Sequence, residues 1–76
     1  MKAVLEVIVR GLVDEPERVR VRETVSGSRV TYDISVSERD LGKVIGRDGR
    51  IANALRTVAS ALAARQNREA QVEIQS

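Results

Sequence analysis

The chain of 76 residues contains no cysteine, histidine, phenylalanine or tryptophan, and only one tyrosine, one proline and one methionine. Without cysteine there is no disulfide framework and no thiol nucleophile. Without cysteine and histidine together, zinc sites and the usual base near neutral pH are also gone. Carboxylates remain, but Asp40 and Asp48 show no pairing that would divide acid from base roles, so the sequence predicts a binding protein with no metal and no cofactor rather than an enzyme. The scarcity of aromatics excludes surfaces that hold single strands by stacking bases on several exposed rings. Only Tyr32 is present, and its place in an alternating run assigns it to a buried face. No apolar run approaches the roughly 20 residues that span a bilayer. Glu6 and Arg10 interrupt any export-signal core after Lys2, so the expectation is a cytoplasmic protein without membrane contact.

What the chain does contain is enough to fold. Apolar residues make up 42% and charged residues 32%, a balance that supports a packed core and excludes general disorder. The length predicts one domain, residues 1–76, that buries about 60–65% of its unfolded surface. The net charge of +2 is unevenly placed. Between Arg39 and Arg56 five basic residues (Arg39, Lys43, Arg47, Arg50, Arg56) face two acids, whereas the rest of the chain holds eight basic and nine acidic residues. The positive excess therefore lies in one short segment, as an electrostatic footprint for a polyanion requires.

Periodicity orders the elements. Met1, Leu5, Ile8 and Leu12 recur at helical spacing, with Lys2, Glu6 and Arg10 on another face, so Met1–Val13 reads as a helix; the β-branched run Val7–Val9 leaves a strand as the alternative. Val4 and Val9 widen the apolar arc, which fits either a deeply packed helix or a partner surface. Pro16 ends the segment. Val19, Val21 and Val25, then Val30, Tyr32, Ile34 and Val36, alternate with polar residues, and Ser26-Gly27-Ser28 supplies a hairpin connection. Glu23 breaks the first alternation, which predicts an edge strand or a bulge. Ser37 followed by Glu38 predicts a capped helix start, and the short helix carries Leu41, Val44 and Ile45 on one side before ending at Gly46. From Arg50 to about Gln66, Ile51, Leu55, Val58 and Leu62 recur with alanines between them, which predicts a long helix lying close to its neighbours. After the turn at Gln66-Asn67-Arg68, Ala70, Val72 and Ile74 alternate as a final strand. Two helices separate it from the strand before, a crossover long enough for parallel pairing.

The order is α-β-β-α-α-β, an α+β fold with helices packed on one face of a three-stranded mixed sheet. Within it, Val44-Ile45-Gly46-Arg47-Asp48-Gly49-Arg50-Ile51 joins the short and long helices. Gly46 and Gly49 permit positive φ and close approach of a ligand to the main chain. Arg47 adds a cation between them, and a helix starting at Arg50 aims free N–H groups and a positive dipole end at the same place. The two glycines also suit a plain helix-to-helix turn. Asp48 is expected to cap the following helix, since an unpaired acid would repel phosphate.

Short helix, Gly46-Arg47-Asp48-Gly49, long helix: this arrangement resembles the core of a KH domain, in the element order of the type II, bacterial form. With Arg50-Ile51-Ala52-Asn53-Ala54-Leu55-Arg56-Thr57-Val58 flowing from the loop, the chain is similar to the small KhpA family of free-standing KH proteins. That resemblance implies a loop clamping the backbone of about four single-stranded RNA nucleotides. It implies contacts from Gly46, Arg47, Asp48 and Gly49, from Lys43, Arg50 and Arg56 around them, and from Val44, Ile45 and Ile51 near the groove. It also implies a homodimer, or a heterodimer with a KhpB-like KH protein, and a role as RNA chaperone or post-transcriptional regulator. One departure is visible: many KH loops place two residues between the second glycine and the next large apolar residue, whereas here Ile51 follows Arg50 directly and Ala52 takes the usual position. So small a footprint predicts weak binding, in the ~micromolar range or poorer, with low base selectivity.

Overall fold

The computed structural model describes residues 2–76. Helix α1 spans Lys2–Leu12; Met1, placed on its apolar face by the sequence, lies outside the described residues. Strands β1 (Arg20–Ser26) and β2 (Arg29–Ser35) follow, then a 3₁₀ turn at Glu38–Asp40, helix α2 (Leu41–Ile45), a second 3₁₀ turn at Arg47–Gly49, helix α3 (Arg50–Ala64) and strand β3 (Glu69–Gln75). The predicted order is thus observed, with a further 3₁₀ turn at Pro16–Arg18 where proline sits at the first helical position.

The sheet runs β1-β2-β3, antiparallel between β1 and β2 and parallel between β2 and β3. Register places Val21, Ile34 and Ile74 in one row of the inner face and Glu23, Tyr32 and Val72 in the next. Period-two alternation sends Arg22, Asp33 and Glu73 to the outer face in a row of mixed charge. α1 packs against β1, and α3 against β3 and α2. Leu5, Val9, Val30, Tyr32, Ile34, Val44, Ala59 and Ala63 are wholly buried between these layers. Each large apolar side chain so buried contributes about 1.5–3 kcal/mol. Ala59 and Ala63 at the deepest line of α3 explain its close approach to the sheet: anything larger would hold the helix off.

Glu23 interrupts the valine pattern of β1 for a reason that lies on the next strand. It pairs directly with Tyr32, and the buried phenol donates a hydrogen bond of 3.0 Å to its Oε2. β1 is an edge strand with an unbroken register, so the interruption marks an edge and not a bulge. Gly27, with φ +60°, opens the two-residue turn between Ser26 and Arg29. With Ser28 outside the positive-φ region, the geometry is that of a type II′ turn. At the far end of α3, Asn67 adopts φ +57° while Asn67 N–H bonds Ala64 O and Arg68 N–H bonds Ala63 O, both at 3.0 Å. Together these form a Schellman cap with asparagine in the place glycine usually takes.

Two expectations for the α2 region are corrected. Ser37 makes no side-chain cap; its carbonyl instead accepts the Asp40 N–H at 2.9 Å, because the segment opens as a 3₁₀ turn. Ile45 does not share the buried side of Leu41 and Val44. One residue beyond Val44, it is rotated off the core and remains 37% exposed.

Candidate nucleic-acid interface

The loop between α2 and α3 is built from its backbone. α2 ends with Gly46 N–H bonded to Gly42 O at 2.9 Å, and Gly49 N–H closes back on Gly46 O at 3.1 Å. Gly46 has φ 77° and ψ 171°, a region essentially confined to glycine. A Cβ there would also stand 2.7 Å from Ile51 Cγ1 and 3.0 Å from Ile51 Cβ. Gly46 is therefore required twice, by conformation and by space. Gly49 is left-handed at φ 75° and ψ 15°, but a Cβ on it would meet nothing within 4 Å.

Asp48 is corrected from a helix cap to a turn former. Its backbone is left-handed, φ 56° and ψ 25°, and Gly49 occupies the N-cap position of α3 without any side-chain cap bond. Aspartate is among the few residues that tolerate this region. The consequence is that the N-terminus of α3 keeps its positive end uncapped by side chains, directly behind the loop. Arg47, Asp48 and Arg50 are exposed at this tip. Among the described residues neither arginine is held by an ion pair.

The other residues expected at the site divide. Ile45 is partly exposed and Ile51 half-buried beside Gly46, so both border the loop. Val44 is fully buried and leaves the surface altogether; its part is to root α2 in the core. Arg56 is exposed one turn and a half along α3, its Nη1 donating to Asn53 Oδ1 at 3.1 Å. Lys43 is engaged elsewhere. Its ammonium pairs with Asp14 Oδ2 and lies 3.8 Å from Asp40 Oδ1. The hydrogen bond and charge of Lys43 hold the Asp14 carboxyl below the usual range, and the hydrogen bond that Lys43 donates to Asp14 raises the lysine.

Asp40 was missed at the sequence level. Counted there only as one of two acids in the basic segment, without a pairing partner, it is the one charged side chain wholly buried among the described residues. Its two oxygens accept the backbone N–H groups of Asp14 (3.2 Å) and Glu15 (3.0 Å), at the end of the segment following α1. Those donors stand about 25 residues upstream in the chain, and no local pattern announces such a contact.

Comparison with known proteins is consistent in one direction. A family model described as KhpA/KhpB, KH domain, matches residues 2–74. The RNA-binding protein KhpA of Clostridium perfringens is 46% identical over 74 residues, covering 97% of this chain and 99% of that protein. That of Clostridium acetobutylicum is 45% identical with the same coverage, and that of Chlamydia pneumoniae is 40% identical, covering 97% of this chain and 95% of its own length. No solved structure matches.

Proposed function

The chain belongs to the KhpA/KhpB family of KH domains, and from that premise we propose that it is a non-enzymatic single-stranded RNA-binding protein whose loop Gly46–Gly49 clamps the sugar-phosphate backbone. The observation that carries this reading is the loop itself. Gly46 is pressed against Ile51 in a conformation only glycine adopts, and the turn it makes exposes Arg47 and Arg50 beside the uncapped start of α3. Backbone N–H groups, a helix N-terminus and two unpaired guanidinium groups then converge on one anionic chain. With Tyr32 buried against Glu23, base stacking contributes nothing, so grip falls on phosphate and selectivity among bases is low. Such a domain suits an RNA chaperone or post-transcriptional regulator acting in the cytoplasm.

The test is charge reversal at Arg47. Arg47→Glu should lower affinity for a short labelled single-stranded RNA at least about tenfold, read by fluorescence anisotropy, while thermal stability stays put because the side chain is exposed. Unchanged affinity in a folded variant would sink the reading.

A second reading is favoured by α1. Val7 is 71% and Val4 42% exposed, an apolar stripe turned away from the core. On this reading α1 assembles the domain with another KH protein, as a homodimer or with a KhpB-like partner that supplies much of the RNA contact. Val7→Glu should then weaken assembly in sedimentation while leaving the isolated domain folded.

A further inference from the structure

The helix that carries the candidate loop is only five residues long, Leu41–Ile45. A helix of that length does not hold itself together, since fewer than about 12 residues are marginal alone. Its place must come from tertiary anchors. Val44 supplies one by packing in the core. The other anchor is polar. Asp40, immediately before α2, carries the buried carboxylate that takes the N–H groups of Asp14 and Glu15, and Lys43, one turn later, closes over it to Asp14.

We propose that Asp40 is a positioning residue for the Gly46–Gly49 loop: it fixes the orientation of α2 against the segment after α1, with Lys43 as its counter-charge, so that Gly46 meets Ile51 and the loop is preformed for RNA. This rests on the RNA-binding reading of the loop and deepens it. A buried carboxylate needs compensation, and two charge-assisted backbone hydrogen bonds plus a nearby ammonium supply it. The two tethers lie on one chain segment and restrain both the position and the rotation of α2 about Val44. Lys43, which charge alone would assign to phosphate, faces the acids of this staple instead. The lysine's contribution is the lesser, because it and Asp14 are both about half exposed.

The sign of one substitution separates this role from simple electrostatics. Asp40→Asn removes a negative charge near the loop, so charge alone predicts equal or tighter RNA binding. The amide also replaces one acceptor oxygen with a donor, and one of the two tethers is lost. If Asp40 positions the loop, affinity for a short single-stranded RNA falls about threefold to tenfold. The dependence of log K on log salt keeps its slope, because no phosphate contact has been removed; Arg47→Gln, the comparison, should reduce that slope by about 0.7. In the protein without RNA, amide hydrogen exchange of Gly46 to Arg50 should speed up in Asp40→Asn by more than that of β2, which reports global stability. Equal or tighter RNA binding by folded Asp40→Asn, or loop exchange that changes only in step with β2, would overturn the proposal. If the unsubstituted protein binds no RNA, the RNA reading fails, and the exchange comparison still decides whether Asp40 holds the loop.

Discussion

Gly46→Ala isolates the geometry on which the site depends, because the structure assigns it two separate penalties. Alanine at φ 77° and ψ 171° is held in a region that non-glycine residues scarcely populate, a strain of about 1–3 kcal/mol. The new Cβ would lie 2.7 Å from Ile51 Cγ1 and 3.0 Å from the Ile51 backbone nitrogen, and overpacking of this kind costs about 1–3 kcal/mol more. The sum is about 2–6 kcal/mol, a large share of the roughly 4–11 kcal/mol expected for a domain of this size. Gly49→Ala carries only the left-handed penalty, about 1–2 kcal/mol, since its Cβ would meet open space. With the mid-range penalties of about 4 and about 1.5 kcal/mol and about 6 °C per kcal/mol, thermal unfolding followed by far-UV circular dichroism should show the Gly46 variant losing about 24 °C and the Gly49 variant about 9 °C. Ile51→Ala in the Gly46→Ala background removes the Cγ1 clash but not the strain. The double variant should therefore be more stable than the two single effects predict, by about 1 kcal/mol. Equal losses at the two glycines, or strict additivity with Ile51→Ala, would refute the claim that Gly46 is shaped by Ile51.

Tyr32 gives a pH prediction. Burial, then its hydrogen bond to Glu23, pushes the phenol up to about 12. The folded state thus holds its proton to higher pH than the unfolded state, and stability present below pH 10 should decline between about pH 10 and 12; an ultraviolet titration finding Tyr32 ionising near 10 in the folded protein would contradict this. Ala59→Leu should destabilise by about 1–3 kcal/mol in urea unfolding, because the position is fully buried where α3 lies close to the sheet. Val9→Ala should cost about 2 kcal/mol and Val7→Ala less than about 0.5 kcal/mol, since the first is wholly buried and the second 71% exposed on the same helix; similar losses would mean that α1 is rotated from the position described.

How much of this was legible in the sequence depends on how far apart the interacting groups are. α3 announces itself through Ile51, Leu55, Val58 and Leu62, and β2 through Val30, Tyr32 and Ile34, because periodicity is a local property that burial imposes on one face. The loop's place was legible too, since two glycines three apart interrupt the helical patterns on either side, although the same spacing also suits a plain helix-to-helix turn. Within that frame the side-chain assignments split along the same line. Val44 and Ile45 are adjacent and equally apolar, and only the docking of α2 decides which one is buried. Glu23 looked like a defect in β1 until register set it opposite Tyr32.

The candidate site follows the same logic, and there it alters the chemistry. Charge counting gathers Lys43, Arg47 and Arg50 into one basic segment as if they were equivalent. The fold separates them, because Asp14 and Glu15 arrive from about 25 residues upstream with two N–H groups and a carboxylate. Asp40 turns inward to meet the N–H groups, Lys43 follows the acids, and the cations left facing solvent at the loop are Arg47 and Arg50. Asp48 moves from an expected cap to a left-handed turn residue, which leaves the start of α3 open instead of occupied by a carboxylate. Both displacements favour the proposed reading of the loop as an anion site. One acid is withdrawn from the helix end it was expected to fill, and Lys43 pairs with the acids of the scaffold, so on that reading grip on a phosphate chain falls to main-chain N–H groups and two arginines.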